Sequence, residues 1–180
     1  RYRSEAELQG NLAAFRDGLI TARVIGLDSA SPYQTLVLDK GSLDGVRKDM
    51  AVCDRFGNLV GRTIEPVSLK EAMVQLITDK ESSVSVVSAV DRLTGSLTGR
   101  STDTCELRYV LASVTAGREG EDLLTTGHDK IYPSGLRVGV ITGLAPDDAS
   151  PLFRKITVRP LFRFNELDVI TDFDKFLASL

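Results

Sequence analysis

Apolar residues in this chain recur mostly at every second position, in short bursts set apart by glycine, proline and polar turns. A period of two places one side of a segment on a buried surface and the other in water, which is the mark of a β-strand. The bursts at 20–27, 35–38, 51–53, 59–64, 84–90, 95–99 and 106–111 read as strands. So do the short apolar pair Leu123-Leu124, the run through Val138, Val140 and Ile141, and the segments 156–158, 161–164 and 168–171. Phe56-Gly57-Asn58 reads as a hairpin turn. Residues 72–77 are ambiguous, because Ala72, Met73 and Gln75 favour helix whereas Val74, Leu76 and Ile77 suit a strand; the β context assigns them to a strand. Pro160 makes its surroundings an edge or a bend. Many short strands spaced about 8–12 residues apart favour small barrels or sandwiches. No long helical pattern is available to cross over between parallel strands.

The exception is the N-terminus. Ala6, Leu8, Leu12, Ala13 and Phe15 recur near helical spacing, Ser4 and Glu7 can form a capping box, and Gly18 can stop the helix. A helix this short is marginal alone in water and needs a partner. Heptad logic nominates Leu8, Leu12 and Phe15 as a self-association face. The fold expected is therefore mainly β, with an N-terminal helix (a coiled-coil end) followed by two small β-barrel domains. Its divisions are a helix over 1–18, a first barrel over 19–101, a second over 102–172, and a tail over 173–180. A strand near the C-terminus is free to return to the first barrel. The chain opens at Arg1 inside the helical pattern, so it is expected to be a soluble piece of a longer protein.

Composition narrows the function classes. The chain has 180 residues, 42% of them hydrophobic, and 22 basic residues against 25 acidic ones for a net charge of -3. That balance argues against a dedicated nucleic-acid binder. Arg154, Lys155, Arg159 and Arg163 form a local basic cluster, read as solvated strand faces and loop charges. No run reaches the roughly 20 apolar residues needed to span a membrane, and no signal-peptide pattern is present.

Candidate chemistry is sparse. His128 is the lone histidine, with Asp129 beside it and Ser134 six residues on. A catalytic triad normally draws its members from separate segments, and the Gly-x-Ser-x-Gly elbow is missing, so this loop reads as a turn. Cys53 and Cys105 lack metal-site spacing and read as buried small hydrophobes. Asp147 and Asp148 read as turn caps. No phosphate-binding loop and no dinucleotide fingerprint occur, so no cofactor or metal is expected. Tyr132, Phe162 and Phe164 fall at turns and edges, with Arg163 opposite the two phenylalanines. Aromatic and arginine side chains so placed are common in protein contacts, which makes these three the candidate partner-contact residues. The same rings could instead plug barrel ends.

The order of phrases carries a family resemblance: DKGSLDGVRKDMAV, GNLVGRTIEPVS, VQLITDKESSVSVV, GEDLLTTGHDKIYPSGLRVGVI, a basic-aromatic segment, then ELDVI. In this order the chain resembles the extracytoplasmic part of the bacterial rod-shape-determining MreC family. The resemblance implies a parent with a short cytoplasmic tail, one transmembrane helix, a coiled-coil helix and two small barrels distantly like a chymotrypsin-type barrel, without a protease site. It implies a periplasmic, non-enzymatic scaffold of the cell-wall elongation complex. That scaffold would associate with itself and bind a class B penicillin-binding transpeptidase, the membrane protein MreD and the actin homologue MreB. Two other readings stand beside it: a hydrolase on a protease-like two-barrel scaffold, and a peptidoglycan-binding module.

Overall fold

A computed structural model describes residues 19–28, 34–167 and 169–173. The expected helix over 1–18 and the tail beyond 173 lie outside the described residues. Twelve strands run β1 (Leu19–Asp28), β2 (Thr35–Leu38), β3 (Ala51–Asp54), β4 (Leu59–Ile64), β5 (Ala72–Leu76), β6 (Ser83–Ser88), β7 (Thr94–Ser101), β8 (Thr104–Arg108), β9 (Asp122–Thr125), β10 (Arg137–Pro146), β11 (Arg154–Pro160) and β12 (Val169–Phe173). Every strand pairing is antiparallel, and together they close two six-stranded barrels. The first runs β1-β12-β3-β4-β5-β2 and the second β10-β11-β8-β7-β6-β9. Closure leaves neither sheet with an open edge.

Alternation places the core. In β8 Cys105 and Leu107 are buried, in β11 Ile156 and Val158, and in β2 Leu36 and Leu38. One apolar cluster runs through both barrels, from Ala22, Leu36 and Val52 to Leu97, Leu107 and Ile156. Bulges bend the longest strands. The register of β10 against β11 shifts between Ile141 and Gly143, and that of β1 against β2 between Val24 and Gly26.

The division of the chain differs from the expected one. β6 and β7 belong to the second barrel, so the boundary lies near residues 77–82 and not at Ser101. β12 lies in the first barrel, between β1 and β3, so that barrel is built from both ends of the described chain. The segment 77–82, TDKES with Ile77 before it, lacks the glycine or proline that would mark a boundary. Residues 161–164, expected as a strand, are not one: β11 ends at Pro160 and a 3-10 turn follows at Phe164–Glu166.

Glycine marks where backbones meet. A Cβ on Gly99 would sit 2.0 Å from the Thr78 carbonyl oxygen, so only glycine lets β7 pass beneath the inter-barrel segment. Gly139 is similarly crowded, 2.7 Å from Val158 Cγ1. A Cβ on Gly143, by contrast, would meet Thr157 at an ordinary 3.5 Å. Replacing Gly99 by alanine is expected to destabilise the fold by about 3 kcal/mol, the upper end of overpacking costs. Gly143→Ala is expected to change stability by less than about 1 kcal/mol. Urea unfolding of both variants checks the contrast, and equal midpoints would contradict it.

Candidate functional site

The loop between β9 and β10 carries the residues that first invite a chemical reading. Its geometry turns each of them to structure. The Asp129 carboxylate accepts hydrogen bonds from the backbone amides of Ser85 (3.0 Å), Ile131 (3.2 Å) and Tyr132 (3.3 Å). It is thus spent on holding the loop against β6. His128 is exposed, and its backbone amide donates to Thr126 Oγ1 at 3.1 Å. Ser134 is exposed on the other limb of the loop. The Asp–His–Ser relay that a hydrolase needs is therefore not assembled here: the carboxylate faces amides instead of the imidazole.

What the loop positions is Tyr132. Its ring is only 1% exposed. Its hydroxyl bonds Ser82, and Arg62 and Asp49 of the first barrel lie close enough to act on its titration. Below it runs a polar chain. Arg62 pairs with Asp49 and donates to Gln75 Oε1 at 3.3 Å; Gln75 Nε2 in turn donates to Asp79 Oδ1 at 3.4 Å. Asp79 is buried and also accepts from the backbone amides of Gln34 (2.6 Å) and Glu81 (2.7 Å). Thr78 Oγ1 donates to Gln34 Oε1 at 2.6 Å. Tyr132 is thus a peg from the second barrel set into a hydrogen-bonded seam on the first. It is not an outward contact residue, and the reason is that the Asp129 turn points it inward.

The expected pair Phe162 and Phe164 also face the core. Phe162 is 4% exposed and Phe164 packs half-buried against the same cluster. The segment 161–167 forms, instead, one wall of a cleft against the β3–β4 turn. Leu161, Arg163, Glu166 and Leu167 face Asp54, Arg55 and Phe56 from the β3–β4 turn. Arg55 stacks over the Phe56 ring at 4.9 Å, and Arg163 pairs with Glu166 at 3.7 Å. Asp54 is committed to the turn, accepting from the amides of Phe56 and Asn58 at 2.9 Å each. Phe56, a turn residue that the sequence marks only through its neighbour Gly57, is the aromatic ring exposed at this cleft, at 57%. Leu8, Leu12 and Phe15 lie outside the described residues.

Cys53 and Cys105 are both buried, one in each barrel, and neither forms a disulfide. Cys105 Sγ donates to the Ile77 carbonyl at 3.6 Å, and burial pushes its thiol up to about 12. Among the described residues no group of three or more metal-ligating side chains occurs, and no helix is long and apolar enough to cross a membrane.

Comparison with known proteins settles the family. Residues 24–171 match the family described as "Rod shape-determining protein MreC, barrel core". This chain belongs to the MreC family. The cell shape-determining protein MreC of Listeria monocytogenes is 30% identical over 133 residues, 71% of the chain; the chain spans 44% of that relative's length. The crystal structure of MreC from Pseudomonas aeruginosa superposes with a TM-score of 0.79 at 26% identity, covering 87% of this chain and 99% of that one. A complex between penicillin-binding protein PBP2 and MreC from Helicobacter pylori contains the same fold, with a TM-score of 0.67 at 14% identity, covering 87% of this chain and 98% of that one. MreC proteins are named for cell-shape determination.

Tyr132→Ala is expected to cost about 3–5 kcal/mol, the range for deleting a buried aromatic, and Tyr132→Phe about 1 kcal/mol for its hydrogen bond. Chemical denaturation measures both. The buried thiol gives a pH signature. The folded state holds Cys105 neutral, whereas the unfolded chain ionises it near pH 9. Its contribution is therefore complete below pH 9 and is lost as the pH rises from 9 towards 12, at about 1.4 kcal/mol per pH unit. Burial raises the Tyr132 phenol too, so it adds to the loss in the same direction. Unfolding free energies measured across this range should fall less steeply for Cys105→Ala than for the wild type.

Proposed function

We propose that this MreC-family chain is the extracytoplasmic part of a membrane-anchored, non-enzymatic scaffold of lateral cell-wall synthesis. In this reading the two barrels bind a class B penicillin-binding transpeptidase on the periplasmic side of the inner membrane and hold it in a working conformation. The parent protein's anchor and cytoplasmic tail connect it to MreD and MreB. One observation carries the partner assignment: a family member of the same fold has been seen in complex with PBP2. The rigid seam at Tyr132 and Asp79 supports it physically, because two barrels locked to one another can present a fixed composite surface.

Self-association through Leu8, Leu12 and Phe15 belongs to the same proposal. The heptad pattern of these residues predicts a short amphipathic helix, and such a helix gains stability by pairing with a second copy. Light scattering of the chain with and without residues 1–18 tests it, with a concentration-dependent dimer expected only for the longer form. A monomer in both forms at every concentration would remove this helix as the dimer contact. The transpeptidase assignment is tested by biolayer interferometry, with the class B enzyme of the same organism immobilised and this chain in solution. Saturable binding in the nanomolar to micromolar range is expected, and no binding at 100-fold higher concentration would refute the assignment.

A further inference from the structure

The end of the second barrel away from the joint carries an exposed apolar surface. Tyr109, just after β8, is 72% exposed, and Leu152, just before β11, is 68% exposed; Leu111 is also exposed. These side chains belong to one surface. Leu111 bridges Phe153, the Ala112 amide donates to the Leu152 carbonyl at 2.8 Å, and the Tyr109 ring stands edge-on to Phe153 with centroids 6.5 Å apart. Arg154 fastens the neighbouring loop by donating to the carbonyls of Val114 (2.6 Å) and Ala116 (2.9 Å), so the surface is braced from behind. Tyr109 has a backbone φ of 65°, a left-handed conformation that bulky residues rarely adopt. An exposed aromatic held at such a cost, with only an edge contact to Phe153 to offset it, is a mark of a contact residue.

A cationic stripe begins at this surface. Cys105, Leu107, Ile156 and Val158 point inward, which leaves Glu106, Arg108, Lys155 and Arg159 on the outer face of β8 and β11. Arg100 on β7 is tied to Glu106. Four cations thus stand against one carboxylate on this face, in a chain whose net charge is -3. Arg108, Lys155 and Arg159 are exposed and form no ion pair among the described residues. The tip has two carboxylates of its own, Asp147 and Asp148, which come from the β10 end of the hairpin; Asp147 is turned to the Ala149 amide at 2.9 Å.

We propose that Tyr109, Leu111 and Leu152, with Arg108 and Lys155, form a docking surface for an acidic polypeptide segment that carries apolar anchors. The committed occupant is a segment of the transpeptidase, so the proposal rests on the partner reading above. Charge complementarity chooses an acidic segment: the unpaired cations attract it and set its register, and the exposed apolar side chains supply the anchoring contacts.

The test is interferometry of the whole chain against the immobilised transpeptidase at 50 and 300 mM NaCl. Tyr109→Asn relieves the left-handed backbone, since asparagine tolerates it. It is expected to leave the melting temperature within about 2 °C of wild type while weakening binding at least tenfold. Arg108→Glu with Lys155→Glu is expected to weaken binding at least tenfold at 50 mM NaCl and to flatten its salt dependence. Leu43→Ser, at an exposed leucine of the first barrel, should bind as wild type. Wild-type binding that all these variants share would overturn this surface and leave the partner reading standing. Absence of wild-type binding would overturn that reading and the occupant with it. Vesicles of anionic phosphatidylglycerol form the second arm. Sedimentation of wild type with them, lost in Arg108→Glu/Lys155→Glu, together with transpeptidase binding that the variants keep, would assign the surface to lipid and overturn the protein occupant.

Discussion

Everything in this molecule is referred to the six residues between β5 and β6. Residues 77–82 are largely buried between the barrels, and their polar groups are nearly all accounted for. Asp79 collects two backbone amides and the Gln75 side chain; Thr78 reaches Gln34; Ile77 gives its amide to the Val60 carbonyl and its carbonyl to Cys105. A buried carboxylate is stable only when its hydrogen bonds are complete. The joint therefore has one low-energy geometry, and it fixes how the barrels stand. Gly99 below and Tyr132 beside it are what the second barrel must supply to fit that geometry.

This constraint also explains which side chains are free for contacts. A ring that looks available at a turn, such as Tyr132, is consumed by the joint, and the Phe162 and Phe164 rings are consumed where the chain crosses back towards the first barrel. The exposed aromatics among the described residues are Phe56 and Tyr109. Phe56 lies in a turn held by the Asp54 carboxylate, and Tyr109 lies beyond the last residue of β8.

Much of the fold was legible because two-residue alternation is a local signal. β2 and β4 begin and end where their alternation does, and the ambiguous 72–77 segment is a strand over Ala72–Leu76 because β2 and β4 flank it on both sides, while Ile77 already belongs to the inter-barrel segment. The boundary between barrels was not legible. The inter-barrel segment breaks the alternation with ordinary polar residues whose burial depends on partners 40 and more positions away, as in the Gln34–Asp79 bond. Nor was the end of β11 legible: Phe162 and Phe164 keep a period of two beyond Pro160, but no strand among the described residues pairs with them. Of the site, the phrase from Gly127 to Gly135 pointed to a turn, and it is one. That the turn's work is to aim a tyrosine at another domain depends on Asp129 reaching Ser85, 44 residues away, which no local pattern encodes.

The return of β12 to the first barrel has a consequence for how the protein is made. As the chain leaves the ribosome, the first five strands of that barrel emerge early, but the place between β1 and β3 stays vacant until the second barrel has been synthesised. During that interval two strand borders lie open to water and to other nascent chains. The second barrel, contiguous in sequence, can close first and serve as the template on which the earlier strands wait. Once β12 is in place, it pairs with β1 from Leu19 opposite Phe173 to Arg23 opposite Val169, so one ladder holds the two ends of the described chain side by side.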